Sequence, residues 1–188
     1  IQKKVMNAWD YGVAQKRERL ITIGIRNDLT NQIKFTFPTP HEYKPVLRDV
    51  LLDCPKSEGT PYSEYKRKIF ELVPPGGYWR DIDPEIAKEY MKSCWDMEGG
   101  RTGILRRMSL DEPSLAVLTS PSQKQTERCH PLEARPFTIR ENARCQSFPD
   151  EWQFCGSLGA QYKQVGNAVP VNLAYDIAAK IKEALENV

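Results

Sequence analysis

RPFTIRENARCQSFPD, Arg135 to Asp150, is the stretch from which the rest of the chain can be read. Thr138-Ile139-Arg140-Glu141 has the form of a capping box. The Thr138 hydroxyl would accept from a free N–H of the first helical turn, and Glu141 would reach back to the Thr138 amide. A helix is expected to start there, with Arg140 and Arg144, four apart, on one face. Phe148-Pro149 should end it, because proline disfavours helical geometry in the residue before it. After a short spacer comes QYKQVGNAVPVNLA, Gln161 to Ala174. Gly166-Asn167 reads as a turn, with Gly166 permitting positive φ or a close backbone approach. An amphipathic helix is expected from Val171 to about Glu186, with Ala174, Ile177, Ala178, Ile181 and Leu185 on the face that needs cover.

Outward from this stretch, Ile1 to Asn7 reads as a strand, and the apolar residues at the very start suggest a chain that begins inside a domain. Leu20 to Ile25 is β-branched and almost continuous, which suits a buried strand of an α/β sheet. The charged run Asp10 to Arg19 would be the turn that feeds it. Pro45 to Asp53 is expected to form a short helix with Val46, Val50 and possibly Leu47 inward. Thr60-Pro61 would cap and open a second helix reaching Val73, and Pro74 to Gly77 would break it. Asp83-Pro84 repeats the cap-and-proline signal before Ile86, Ala87, Tyr90, Met91 and Cys94 at helical spacing. Ile104 to Met108 and Ser114 to Thr119 read as short strands. Ser120 to His130 is polar and holds Gln123, Lys124, Gln125 and Arg128. No internal repeat or heptad run occurs.

Composition sets bounds. With 188 residues, 40% hydrophobic and 28% charged, the chain can bury the core of one domain or two small ones. A mean hydropathy of −0.58 favours a soluble, cytoplasmic protein. No apolar run approaches the roughly 20 residues that span a bilayer, so no membrane association is expected. The net charge of +2 does not by itself imply nucleic acid, although basic residues gathered on one face would still attract it. Five cysteines, an odd number without a C-x-x-C pair, argue against a zinc ribbon or a disulfide framework. Cys129-His130 are adjacent, not at ligand spacing. No metal site is expected.

Three runs together resemble DNA (cytosine-5) methyltransferases. Arg135 to Asp150 is similar to that family's R-x-x-T-x-R-E-x-A-R-x-Q-x-F-P-D pattern, and Gly166 to Pro170 to its G-N-A/S-V-P pattern. Asp10 to Arg19 is similar to its D-Y-G-x-x-Q-x-R-x-R pattern, and the order of the three agrees. The resemblance implies an α/β fold made of the edge portion of a Rossmann-like S-adenosylmethionine-dependent sheet plus a smaller mixed α/β target recognition domain. Residues 1–55 and 163–188 would belong to the catalytic domain, 56–140 to target recognition, and 141–162 to a hinge. By the same resemblance Arg19 would donate to O2 of a flipped cytosine, Arg17 would hold the phosphate or ring beside the nucleophile, and Gln15 would support both. Asn167, Ala168 and Val169 would form one wall of the cofactor and nucleophile pocket. Arg140, Glu141 and Arg144 would be structural.

Recognition of double-stranded DNA would fall to Arg106, Arg107, Gln123, Gln125 and Arg128 at base edges. Lys124 would meet phosphate, which positions without specifying. Where the resemblance would place the nucleophile, in a Pro-Cys motif, this chain has nothing: Cys54 precedes its proline, and no cysteine follows one. A Gly-rich cofactor loop is absent as well. The expectation is therefore a C-terminal portion or subunit of such an enzyme, inactive until joined by an N-terminal catalytic portion that completes the S-adenosylmethionine site. A restriction endonuclease would be its functional partner. The alternative is a stand-alone DNA-binding or regulatory module.

Overall fold

The chain was analysed as a computed structural model that describes residues 1–121 and 123–186, without the side chain of Lys124. Strand β1 (Gln2–Asn7) pairs antiparallel with β3 (Glu18–Ile23), Val5 lying opposite Leu20 and Met6 opposite Arg19. Between them a 3-10 turn, Ala8–Tyr11, leads to the two-residue strand β2 (Gln15–Lys16). This strand pairs parallel with β4 (Ser114–Leu115), about a hundred residues later in the chain. Helices α1 (Arg48–Leu51), α2 (Glu64–Leu72) and α3 (Pro84–Met91) fill the middle. Helices α4 (Ile139–Cys145), α5 (Leu158–Asn167) and α6 (Val171–Glu186) close the chain.

The signals at helix starts translate directly. Thr138 caps α4, its hydroxyl accepting from the Glu141 N–H at 3.3 Å while Glu141 Oε2 accepts from the Thr138 N–H at 2.8 Å. A cap of this kind contributes about 1 kcal/mol. Asp83 caps α3 with Pro84 in its first turn. Helix α2, however, starts three residues later than Thr60-Pro61 suggests, because the Ser63 hydroxyl takes the Lys66 N–H. Helix α4 also stops short of Phe148-Pro149: Ser147 turns left-handed at φ 57° and ends it. The expected turn at Gly166-Asn167 is instead the last turn of α5, a helix capped by Ser157 within the expected spacer. In the middle, Ile104 to Met108 is not a strand, and Leu105 sits at φ 51°.

Packing explains the remaining differences. In α1 it is Leu47 and Leu51 that are buried, with Val46 and Val50 half-covered. Leu47, Leu51, Val117, Phe137, Ile139, Ala143, Tyr162 and Val165 share one core, so α4 and α5 are packed elements with residues from both sides of them in sequence. A second core lies within residues 69–129, around Phe70, Trp79, Tyr90, Met91 and Leu105. Helix α6 lays Leu173 and Ile177 on Met6 and Tyr11, and Ala184 on Ile33 and Phe35. The stripe proposed from periodicity is thus rotated: Ala174, Ala178, Ile181 and Leu185 are exposed. Strand β3 is likewise covered on one face only, because Val5 and Leu20 are both 62% exposed. No helix among the described residues is long and apolar enough to cross a membrane.

Candidate functional site

Gln15 lies in β2, Arg17 in the link between β2 and β3, and Arg19 in β3. Gln15 is wholly buried. Its Nε2 donates to the Cys145 carbonyl at the end of α4 (3.3 Å), and its Oε1 accepts from the Val117 N–H (2.8 Å). Arg17, also buried, donates from Nη1 to the Val117 carbonyl (3.2 Å) and from Nη2 to the Gly166 carbonyl (2.8 Å). Two side chains two residues apart therefore hold both backbone groups of Val117 and bind the segment to α4 and α5. Burial, with the charge of Arg19 adding to it, lowers the Arg17 pKa to about 10, still well above neutrality.

Gly166 makes this junction possible. A Cβ there would lie 2.6 Å from the backbone of Leu118 and Thr119, so only glycine lets α5 approach. Gln146, buried next to the site, donates to the Val165 carbonyl and accepts the Val171 N–H, which fixes the start of α6. Beyond the junction, Asn167 and Val169 are exposed and Ala168 is half-buried. Arg19 is exposed, with Nη1 on the neighbouring Glu18 carbonyl at 2.6 Å.

The structure thus gives the motif residues different tasks. Arg17 was expected at the phosphate or ring, but its terminal nitrogens are engaged by two carbonyls of the protein, and it braces. Arg19 is the member of the run that remains at the surface. Asn167 to Val169 follow Gly166, whose carbonyl accepts from Arg17. The family resemblance also implies an acid in a Glu-Asn-Val motif, and such a tripeptide occurs at Glu186 to Val188. Glu186 ends α6, about 22 Å from Val171 at the rise of an α-helix. Its carboxylate faces Lys182 at 3.5 Å, while Asn187 and Val188 lie outside the described residues.

The proposed base readers also divide. Arg107 donates to the carbonyls of Val73 (2.9 Å), Phe70 and Pro131. Its guanidinium is used in holding the second core together. Arg106 and Arg128 lie close enough to repel each other, and Arg106 faces the Glu112 carboxylate at 3.9 Å. Burial first, and then Arg106, lower the pKa of Arg128. Both Nε atoms are buried without a hydrogen-bond partner. Gln123 and Gln125 are exposed on the same turn, and the side chain of Lys124 lies outside the described residues.

Arg135, at the start of the long motif, forks onto Glu141 at 2.8 Å from each terminal nitrogen and also bonds Glu133. Burial alone would raise the Glu141 pKa, but Arg135 and the Thr138 N–H outweigh it and hold it below the usual carboxylate range. His130, buried 3.6 Å from Glu141, is pushed below 6.5 mainly by its burial. Arg140 donates to the Pro149 and Trp152 carbonyls, and Arg144 to Asp150 and Asp53. A cleft of about 650 Å3, lined by Cys54, Tyr62, His130 and Arg135, runs along this network.

With the geometry in hand, comparison with known proteins is direct. The family model for the C-5 cytosine-specific DNA methylase matches residues 1–183. The chain belongs to that family. It is 62% identical over 172 residues to the type II methyltransferase M.Sau96I of Staphylococcus aureus, covering 90% of this chain and 40% of that protein. It is 48% identical to M.Eco47II of Escherichia coli, over 100% of this chain and 46% of the relative. The chain therefore spans less than half the length of these curated relatives. A crystal structure of an E. coli prophage protein described as a DNA modification methyltransferase superposes over 99% of this chain and 60% of its own, with a TM-score of 0.64 at 20% identity. That likeness supports the fold alone.

Proposed function

We propose that this chain is the C-terminal portion of a DNA (cytosine-5) methyltransferase. It binds duplex DNA, reads a short target and completes the pocket in which a flipped cytosine is methylated at C5. The observation that carries this is the Arg17 clamp. It brings the Gln15–Arg19 run, Val117 and the Gly166–Pro170 run together, and leaves Arg19 and Asn167 at the surface of one junction. Residues 1–55 and 163–188 then form the sheet-edge part of the catalytic domain, 56–140 read the target, and 141–162 join the two.

The open faces of the β1–β3 hairpin and of α6, with Val5, Leu20, Tyr175 and Leu185 exposed, receive the N-terminal portion, which brings the nucleophilic cysteine. Burying an apolar side chain of this size is worth about 1.5–3 kcal/mol, so four of them make a strong contribution to that union. Asn167, Ala168 and Val169 suit S-adenosylmethionine as one wall, offering an amide beside small apolar groups. When bound, that cofactor supplies the methyl group. The thiolate adds to C6 across the C5–C6 double bond, C5 takes the methyl group, and loss of the C5 proton and of the thiolate restores the ring, while Arg19 donates to O2, where negative charge develops. Gln15 and Arg17 keep the Arg19 strand in place. Flipping the base costs a few kcal/mol of stacking, offset by contacts from the recognition segment.

Labelled S-adenosylmethionine and duplex DNA test the reading. The chain alone should transfer no label. Joined to an N-terminal portion it should methylate C5, and Arg19→Ala should then lower the single-turnover rate roughly 10²–10³-fold. Methylation by the isolated chain, or an unaffected Arg19→Ala enzyme, would refute it. Specific DNA binding with no methylation in any combination would point instead to a stand-alone binding module. A companion restriction endonuclease and a cytoplasmic setting belong to the same proposal.

A further inference from the structure

Glu127 lies between Thr126 and Arg128 in a polar segment, and from sequence alone it reads as one more solvated acid. In the structure its side chain is wholly buried. A buried carboxylate needs donors and a counter-ion, and Glu127 has both. Oε1 takes the Lys66 ammonium from α2 at 2.6 Å and the Tyr90 hydroxyl from α3 at 2.5 Å. Oε2 takes the Leu105 N–H at 2.6 Å. Leu105 is a branched residue at φ 51°, a conformation that persists only where its surroundings enforce it. The carboxylate on its N–H is part of that enforcement.

The backbone completes the arrangement. The Glu127 N–H donates to the Gly103 carbonyl (2.8 Å), and the Cys129 N–H to the Arg106 carbonyl (3.0 Å). A Cβ on Gly103 would collide with the Gln125 carbonyl, so the two turns touch through backbone. Arg106 follows Leu105, and Arg128 follows Glu127. The two guanidiniums repel each other, and their Nε atoms have no partner. Something other than mutual attraction keeps them together.

We propose that Glu127 is a positioning residue for target recognition. Through Lys66, Tyr90 and the Leu105 amide it locks the turns 101–106 and 123–128 together and presents Arg106 and Arg128 as one paired donor surface to the DNA target. The proposal rests on the reading of residues 56–140 as the target reader.

The experiment uses the complete enzyme, this chain joined to its N-terminal portion. The target is first defined by bisulfite sequencing of DNA methylated by the wild-type enzyme. Binding is then measured on the target duplex and on duplexes with one base pair replaced. Glu127→Gln keeps the side-chain volume and should reduce discrimination about tenfold, roughly the value of one well-read base pair, while single-turnover methylation of saturating target stays within about threefold. Tyr90→Phe should reduce discrimination by a smaller factor. Arg128→Ala should lose discrimination in the wild-type background and little more in the Glu127→Gln background, the sign of coupled residues. Ile69→Val, in the same core but away from the carboxylate, should lower the melting temperature without changing discrimination. If Glu127→Gln behaves like Ile69→Val, the residue is only structural and the proposal falls. Should Glu127→Gln not fold, unchanged discrimination in Tyr90→Phe overturns the proposal equally. A wild-type enzyme that methylates without target preference, or does not bind DNA, would remove the underlying reading too, and is seen before any variant is made.

Discussion

The Arg17 junction and the Glu127 turns solve the same problem with opposite charges. Each uses one buried ionic side chain to pin together segments far apart in the chain. Arg17 donates its buried guanidinium to two carbonyls, so it grips backbone whatever the neighbouring side chains are. Glu127 relies on two other side chains, Lys66 and Tyr90, plus one amide. A brace made to backbone tolerates change around it. A brace made to side chains ties three positions to one another. The first arrangement suits a junction common to a whole family, and the second suits a surface particular to one target.

The largest effect that would break the comparison is loss of Arg17. Arg17→Ala leaves the Val117 and Gly166 carbonyls without their donor, and bonds to a charged group are worth about 1.5–3 kcal/mol each. We expect about 3 kcal/mol of stability to go, read from urea unfolding. A loss below about 1 kcal/mol would mean that water replaces the guanidinium easily.

Gly166→Ala comes next. The added methyl must displace backbone at Leu118–Thr119, and overpacking of this kind costs about 1–3 kcal/mol. The same urea titration measures it. An unchanged midpoint would show that α5 can slide away, and that the junction is looser than the Arg17 bonds imply.

Acidification should have a smaller, graded effect. His130 has a folded pKa below its unfolded 6.5, so the unfolded chain binds more protons as pH falls past 6.5, and stability drops from there. Glu141, Glu133 and Asp150 are also held low by their arginines. Their contribution is present above the ordinary carboxylate range and is lost as pH falls below it, through their lowered folded values. Melting temperatures between pH 8 and pH 3 should show both stages, and His130→Asn should flatten the first.

Smallest of all is Arg19→Ala, within about 0.5 kcal/mol in stability because the side chain is exposed. A large loss of stability there would place Arg19 among the braces with Arg17.

The two regions also differed in how far residues alone revealed them. Thr138 with Glu141, and Asp83 with Pro84, carry local chemistry, so α4 and α3 could be placed from sequence. The long motifs brought Gln15, Arg17 and Gly166 to notice. Their partners did not stand out: Val117 is an ordinary apolar residue, and what matters at it is its backbone. That Arg17 braces while Arg19 stays exposed depends on where Gly166 lies, which alternation along a strand does not reveal. Glu127 gives no sign of burial in its polar run, and only the fold of two irregular turns buries it. The rotated face of α6 has another cause. The outer stripe of Ala174, Ala178, Ile181 and Leu185 is as apolar as the covered one, so periodicity had two faces to choose from.

The sequence separation of the clamp has a consequence for how the protein is made. The β1–β3 hairpin can form as soon as its two strands leave the ribosome. Arg17 and its Gly166 acceptor are 149 residues apart, roughly 7–30 s of synthesis at about 5–20 residues per second. Throughout that interval the guanidinium remains hydrated and the hairpin keeps its place open. The junction therefore closes long after the hairpin, and a ribosome that stalls before Gly166 leaves a product in which the three motifs have not yet met.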